Sequence, residues 1–400
     1  MNRRHAFQML AGLIGGSPLF AQSVPAPATA GEVPLSPKSA RVPYPDVPAD
    51  VMGPVNVHEF EEVARKKLHK LAYDFIAGGV EDELTLKANR EAYARWYLVP
   101  RVMTDVSEVD TQIELLGTKL ASPILIAPTG GKNLVLPNAD AVVANAALAT
   151  KTLICSATGV QKLLADGQPL NWWSNTTGLA SKSAAASYAR RIEDGGGKGI
   201  VITVDNQYQS NRDRNNRNRF DYGYMQSGVP KDGETRPPRT PALAAMWIPH
   251  TPGMTWPQIE WMRGATTLPI ILKGILSPED GALAVQNGAS AVVVSNHGGR
   301  QLDGVIGTMD ALPDVVEAVG GKVPVLMDGG IRRGSDIVKA LALGAKAVLV
   351  GRAPLWGLGA FGQPGVERVL WLLNAELKLD MALAGAPNLA AINRKLVRRA

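Results

Sequence analysis

After residue 120 the chain settles into short apolar runs separated by helix-length stretches. The runs are Ile124 to Ala127, Thr152 to Ser156, Leu170 to Trp173, Ile200 to Val204, Ile270 to Leu272, Ala291 to Val294, Val325 to Met327 and Ala347 to Val350. A strand with one face in water alternates apolar and polar residues, whereas a strand covered on both faces reads as continuously apolar. Eight such runs alternating with helices predict an α/β fold, a TIM (β/α)8 barrel; a doubly wound open sheet is the competing architecture. The third run fits least well, because Asn171 and two tryptophans make an uneven strand.

Upstream the period changes. Val57, Phe60, Val63, Leu68, Leu71 and Phe75 recur at helical spacing within Asn56 to Ala77, and Glu81 to Tyr93 is a second helical stretch. Gly78-Gly79 between them is a helix stop. The barrel is therefore expected to carry an N-terminal helical extension. From Val24 to Pro54 proline recurs without apolar periodicity, as in an extended linker. Ahead of it, Arg3-Arg4 precede an apolar run, Ala6 to Phe20, too short and glycine-rich to span a bilayer. This reads as a twin-arginine export signal, the route of proteins that fold around a cofactor before crossing, and predicts a periplasmic destination, free or membrane-associated. The expected division is 1–30 signal, 31–54 linker and 55–400 barrel domain. Between the fourth and fifth runs lie roughly 60 residues, far more than a barrel helix needs, which makes that long loop a candidate lid or else a solvated insertion.

Composition narrows the chemistry. The net charge is +6 over 400 residues, but the basic residues are dispersed and no nucleic-acid-binding motif accompanies them, so small anions are the expected partners and nucleic acid is not. Cys155 is the sole cysteine. An intramolecular disulfide is excluded, no metal site is expected, and redox chemistry would need an organic cofactor.

Barrel enzymes carry their chemistry on the loops that follow the strands. Thr129 follows the first run, Asp205 the fourth, Lys273 the fifth, Asn296 and His297 the sixth, Asp328 the seventh and Arg352 the eighth. In DGGIRRG, residues 328–334, glycines let backbone amides approach a phosphate at a helix start, and Gly351-Arg352 stand on the adjacent strand. His297 is flanked by Asn296, Gly298 and Gly299 and followed by Arg300 and Asp303. A carboxylate at Asp205 is placed to stabilise its imidazolium.

The stretches YDFIAGGVEDELTLKANREAY (73–93), PILIAPT (123–129), ITVD (202–205), LPIILKGI (268–275), VSNHGGRQLDG (294–304), VLMDGGIRRGSDIVKALALGAKAVLVGR (325–352) and MALAG (381–385) together resemble the family of glycolate oxidase, flavocytochrome lactate dehydrogenase and mandelate dehydrogenase. The resemblance implies FMN as cofactor, an L-2-hydroxy acid as substrate and a homotetramer. It implies His297 as the base, Asp205 as its carboxylate partner, Arg300 and Arg212 as the substrate-carboxylate ligands and Tyr73 as a substrate hydrogen-bond donor. Lys273 would lie beside the flavin ring with Thr129, Thr203 and Ser295, and Asp328, Gly330, Arg332, Gly351 and Arg352 would hold the ribityl chain and phosphate.

Two departures stand out. Ser156 replaces the family's tryptophan after the second strand, and Asn175-Thr176-Thr177 replace a Gln-Leu-Tyr after the third, which enlarges the pocket and predicts an acid bulkier than glycolate or lactate. Gly130 stands where the oxidases tend to have alanine, which favours a dehydrogenase passing electrons to a quinone or cytochrome. The linker lacks a haem-attachment motif, so a haem acceptor would be a separate partner. The alternatives are a non-redox FMN barrel of the isopentenyl diphosphate isomerase type and a non-catalytic flavin-binding protein.

Overall fold

The computed structural model describes residues 49–156, 169–230, 234, 241–245 and 247–400. The expected export signal, most of the linker and most of the proline-rich stretch 229–241 lie outside the described residues.

Eight parallel strands close into a barrel in chain order: β1 (Ile124–Ile126), β2 (Ile154–Ser156), β3 (Trp172–Thr176), β4 (Ile200–Thr203), β5 (Ile270–Ile275), β6 (Ala291–Val294), β7 (Val325–Met327) and β8 (Ala347–Val350). Closure sets Val348, Leu349 and Val350 of β8 opposite Ile124, Leu125 and Ile126 of β1. The apolar runs divide by alternation. Leu125, Leu153, Trp173, Val201, Ile271, Val293, Leu326 and Leu349 fill the barrel interior. Their neighbours Ile126, Ile154, Trp172, Ile202, Leu272, Val292, Met327 and Val350 face the surrounding helices. Full burial of each such aliphatic side chain stabilises by roughly 1.5–3 kcal/mol, so both faces of every strand favour this arrangement.

Two strands depart from their expected limits. β3 lies two residues further along than the apolar run and ends in Ser174, Asn175 and Thr176, whose polar groups find partners: Ser174 Oγ is 2.6 Å from Tyr188 Oη, and Asn175 Oδ1 accepts from the Thr203 hydroxyl at 2.8 Å. β5 continues through Lys273 and Gly274, so Lys273 stands within the strand and not after it.

The helical extension comprises α1 (Val57–Lys67), α2 (Lys70–Ala77) and α3 (Leu84–Ala94). The single helix expected over 56–77 breaks at Leu68, whose backbone is extended, and restarts where the His69 side chain accepts from the Leu71 amide at 3.2 Å. Ala49–Met52 form a 3-10 turn that buries Val51, so the packed domain begins ahead of residue 55. The last barrel helix, Arg352–Leu383, bends at Phe361-Gly362 and packs on α1, with Phe60 and Phe361 edge to face at 5.9 Å.

A hairpin, Ile113–Leu115 with Thr118–Leu120, adds Ile113, Leu115 and Leu120 to the interior cluster. Leu120 precedes β1 by only a few residues, which span about 3.5 Å each at most, so the hairpin sits at the end where the strands begin. The long connection after β4 carries the short helices Asp213–Arg217, Tyr224–Ser227, Ala242–Ala245 and Pro257–Arg263. Its first part is packed and not a bare insertion: Phe220 is buried and stacks on Phe75 at 4.9 Å, and Arg214 pairs with Glu83 at 2.5 Å.

Candidate active site

A cavity of about 440 Å³ opens where the strands end, and Thr129, Thr203, Arg212, Lys273, His297, Arg300, Asp328, Gly330, Arg332, Gly351 and Arg352 line it. Asp205 and Ser295 stand directly behind this wall. Asp205 Oδ1 is 3.0 Å from His297 Nδ1, and Lys273 Nζ donates to Ser295 Oγ at 3.0 Å.

His297 occupies the left-handed region (φ 57°), as do Gly298 and Gly299 after it. A non-glycine residue is held there only when its surroundings over-determine it. Here its backbone N–H donates to Ser295 Oγ at 3.1 Å while its ring is fixed by Asp205. With Nδ1 engaged, Nε2 is the nitrogen left for chemistry. Burial, with help from the Lys273 ammonium, holds the imidazole below the ordinary histidine range against the pull of Asp205. Burial works against the Asp205 carboxylate too, but His297 and Lys273 outweigh it and keep the group below its usual value. The pair can meet because of Gly274 (φ 112°): a Cβ there would lie 2.7 Å from Asp205 Cβ, and the β5–β6 register shifts between Lys273 and Ile275.

The arginines gather at the C-terminal end of α2. Arg300 Nη1 donates to the carbonyls of Phe75 (2.7 Å) and Gly78 (2.8 Å), and Arg352 to those of Ile76 (2.8 Å), Gly78 (2.9 Å) and Gly298 (2.8 Å). These contacts suit the negative end of a helix. Arg212 Nε donates to Ser210 Oγ at 3.1 Å, and the guanidiniums of Arg212 and Arg300 lie 5.8 and 5.0 Å from the Phe75 ring centroid. Burial, then Arg212 and Arg352, lowers the Arg300 pKa well below its usual value; burial and then Arg332 bring Arg352 to about 9. Crowded buried cations of this kind are relieved by an anion. The Nη2 groups of Arg300 and Arg212 have no hydrogen-bond partner among the described residues and can supply a bidentate carboxylate clamp.

The other half of the cavity fits the expected FMN. Asp328 Oδ1 is buried without a partner among the described residues while its Oδ2 is 3.3 Å from Lys273 Nζ, which leaves one oxygen to accept from a hydroxyl. Burial disfavours the Lys273 ammonium, but Asp328 and Asp205 hold its pKa above the usual lysine value, so the cation persists. Gly330 (φ 79°) could carry no side chain, since a Cβ would meet the Asn89 carbonyl at 2.3 Å, whereas beside Gly351 the nearest such contact is Thr129 Cγ2 at 3.4 Å. The backbone is thus bare along the stretch expected to hold ribityl and phosphate. Arg352 spends three of its five N–H groups on carbonyls and keeps two.

One expected residue is displaced. Tyr73 packs against Trp356, ring centroids 5.5 Å apart, and does not line the cavity, whereas Phe75 does. Two residues along a helix are about 200° apart, so the two rings leave α2 on opposite sides, and Phe75 has no hydroxyl to donate. Sequence reading also missed Asn89. Its side chain and that of Asn296 exchange two hydrogen bonds at 2.8 Å each, joining α3 to the loop that carries His297. The available signal was a polar residue one turn after Thr85 on the buried face of α3. Asp303, expected near the chemistry, instead accepts from the amides of Thr85 (2.8 Å) and Leu84 (3.2 Å) and caps α3.

The family model for FMN-dependent dehydrogenases matches residues 64–399. Among curated proteins the chain is 40% identical over 351 residues to the peroxisomal (S)-2-hydroxy-acid oxidase GLO4 of Oryza sativa subsp. japonica, covering 86% of this chain and 96% of that one. It is 38% identical over 370 residues to the L-lactate oxidase of Nostoc sp., covering 86% and 98%. Among solved structures, a mandelate oxidase with (S)-4-hydroxymandelic acid aligns with a TM-score of 0.77 at 38% identity, covering 86% and 99%. A soluble mutant of the membrane-associated (S)-mandelate dehydrogenase from Pseudomonas putida aligns with a TM-score of 0.76 at 33% identity, covering 86% and 99%.

Proposed function

The chain belongs to the family of FMN-dependent dehydrogenases and oxidises a 2-hydroxy acid with FMN as cofactor; we propose that the substrate is an L-2-hydroxy acid larger than glycolate or lactate and that its electrons pass to a quinone or cytochrome. The observation that carries the site assignment is the His297–Asp205 pair facing the same cavity as Arg212 and Arg300. The two guanidiniums hold the substrate carboxylate. His297 Nε2 removes a proton from the acid, and Asp205 stabilises the imidazolium that results. Bound FMN would supply the acceptor for the two electrons and the second hydrogen that leave the acid as it becomes the 2-oxo acid. Thr129, Thr203, Lys273 and Ser295 would hold its ring, with the Lys273 cation offsetting negative charge gained there. Asp328, Gly330, Arg332, Gly351 and Arg352 would hold the ribityl chain and phosphate.

Support for a larger acid comes from Ser156 and Thr177, small residues that both line the cavity. Anaerobic mixing of holoprotein with a panel of 2-hydroxy acids tests the reaction through flavin bleaching, and a preference for glycolate over larger acids would overturn the size reading. For the acceptor, the support is Gly130 on the cavity wall; the two curated relatives above are oxidases and the solved neighbours include both kinds. Admitting air to the reduced protein decides it, since rapid reoxidation means an oxidase. The Arg3-Arg4 segment supports export to the periplasm, checked by cell fractionation, and a homotetramer is checked by light scattering.

A further inference from the structure

Beyond the base and the arginines, the cavity wall carries four neutral polar side chains, Thr177, Asn206, Gln209 and His250, among apolar ones such as Phe75 and Met225. Each keeps hydrogen-bonding capacity that no described residue uses. Gln209 Nε2 donates to Tyr222 Oη at 2.7 Å, leaving Oε1; Asn206 accepts from Gln301 through Oδ1, leaving Nδ2. The Thr177 hydroxyl and the His250 ring have no partner among the described residues, although the Thr177 carbonyl accepts from Thr251 Oγ1 at 2.8 Å and so fixes that corner. Burial and the nearby Arg212 keep the His250 imidazole below the ordinary histidine range, hence neutral near pH 7 with one donor and one acceptor.

Neutral groups of this kind reject both an apolar and an ionic substituent. A phenyl or long alkyl group would strip them of water without replacing their hydrogen bonds. Apart from the carboxylate clamp and the arginines of the expected phosphate site, a second carboxylate would find no spare cation among the described residues of the wall, because Lys132 is already held by Asp140 at 2.8 Å and by the Thr129 carbonyl at 2.6 Å. Resting on the reading of this cavity as a 2-hydroxy-acid site, we propose that the substituent bears hydroxyl groups, as in glycerate or a sugar acid, and that Thr177, Asn206, Gln209 and His250 recognise them.

The test is kcat/KM on matched pairs of the same hand at C2: (S)-glycerate against (S)-lactate, and (2S)-2,3,4-trihydroxybutanoate against (S)-2-hydroxybutanoate. The hydroxylated member of each pair should be favoured by about tenfold or more, since a site built to bond a hydroxyl discriminates strongly against its absence. Equal values, or a preference for (S)-mandelate or (S)-malate over the hydroxylated acids, would overturn the inference. Gln209→Leu and Thr177→Val should lower kcat/KM for the trihydroxy acid about tenfold with little change for 2-hydroxybutanoate; an equal fall for both would count against recognition. Flavin bleaching by apolar acids alone removes this inference and leaves the oxidation intact, whereas bleaching by no acid of either series removes both.

Discussion

His297 works as a base only while neutral, and its pKa lies below the ordinary value of about 6.5. A group so depressed is neutral at and above pH 7 and gains its proton only as the pH falls through the folded value. The acid-side limb of kcat/KM against pH should therefore lie below 6.5, with a plateau through neutrality. Replacing Asp205 by Asn removes the charge that raises the histidine pKa, so this limb should move further down while kcat falls on the order of 100-fold, as expected when an imidazolium loses its counter-charge. His297→Asn should cost roughly 10²–10⁴-fold in kcat with flavin still bound. At this scale the positions of His297 and Asp205 were legible because each stands just beyond the end of an apolar run, whereas Arg300 was reached through the resemblance of VSNHGGRQLDG. Phe75 was not: which side of a helix faces a cavity depends on its phase, and the break at Leu68-His69 resets the phase of α2.

Elements hold these residues by contacts that only the folded chain supplies. Gly274→Ala would place a methyl 2.7 Å from Asp205 Cβ at a backbone φ of 112°, and should destabilise by roughly 1–3 kcal/mol. Thermal unfolding reads that cost, and slower anaerobic flavin bleaching reads the displaced Asp205. Asn89→Ala leaves the buried Asn296 amide short of one partner at each end, a loss of about 1–3 kcal/mol. Asn89 Oδ1 also accepts from the Thr308 amide at 3.2 Å, and the Thr308 hydroxyl donates to the Asp328 carbonyl at 2.6 Å, so bleaching should slow and flavin affinity should weaken with it. The strands were readable because both of their faces are apolar. The polar end of β3 was not, since the groups that satisfy it, Tyr188 and Thr203, come from other elements. The same is true of Gly274, whose necessity is visible only beside Asp205.

Across the whole molecule the architecture follows from the alternation of apolar runs, while the joining of distant parts does not. Trp96–Leu98 pair antiparallel with Val397–Arg399, bringing the end of the chain back to the start of the barrel domain, and no local pattern announces that pairing. The hairpin of Ile113–Leu115 and Thr118–Leu120 is likewise too short to have been anticipated, yet its apolar residues close the barrel core at the end away from His297. With that floor shut, the acid and whatever collects its electrons are expected to share the cavity at the strand ends and to take turns there. The expected kinetics are of the ping-pong type: parallel lines in double-reciprocal plots at several fixed acceptor concentrations, and inhibition by excess acid that more acceptor relieves. Intersecting lines would mean that both reactants are held at once and would count against a shared opening.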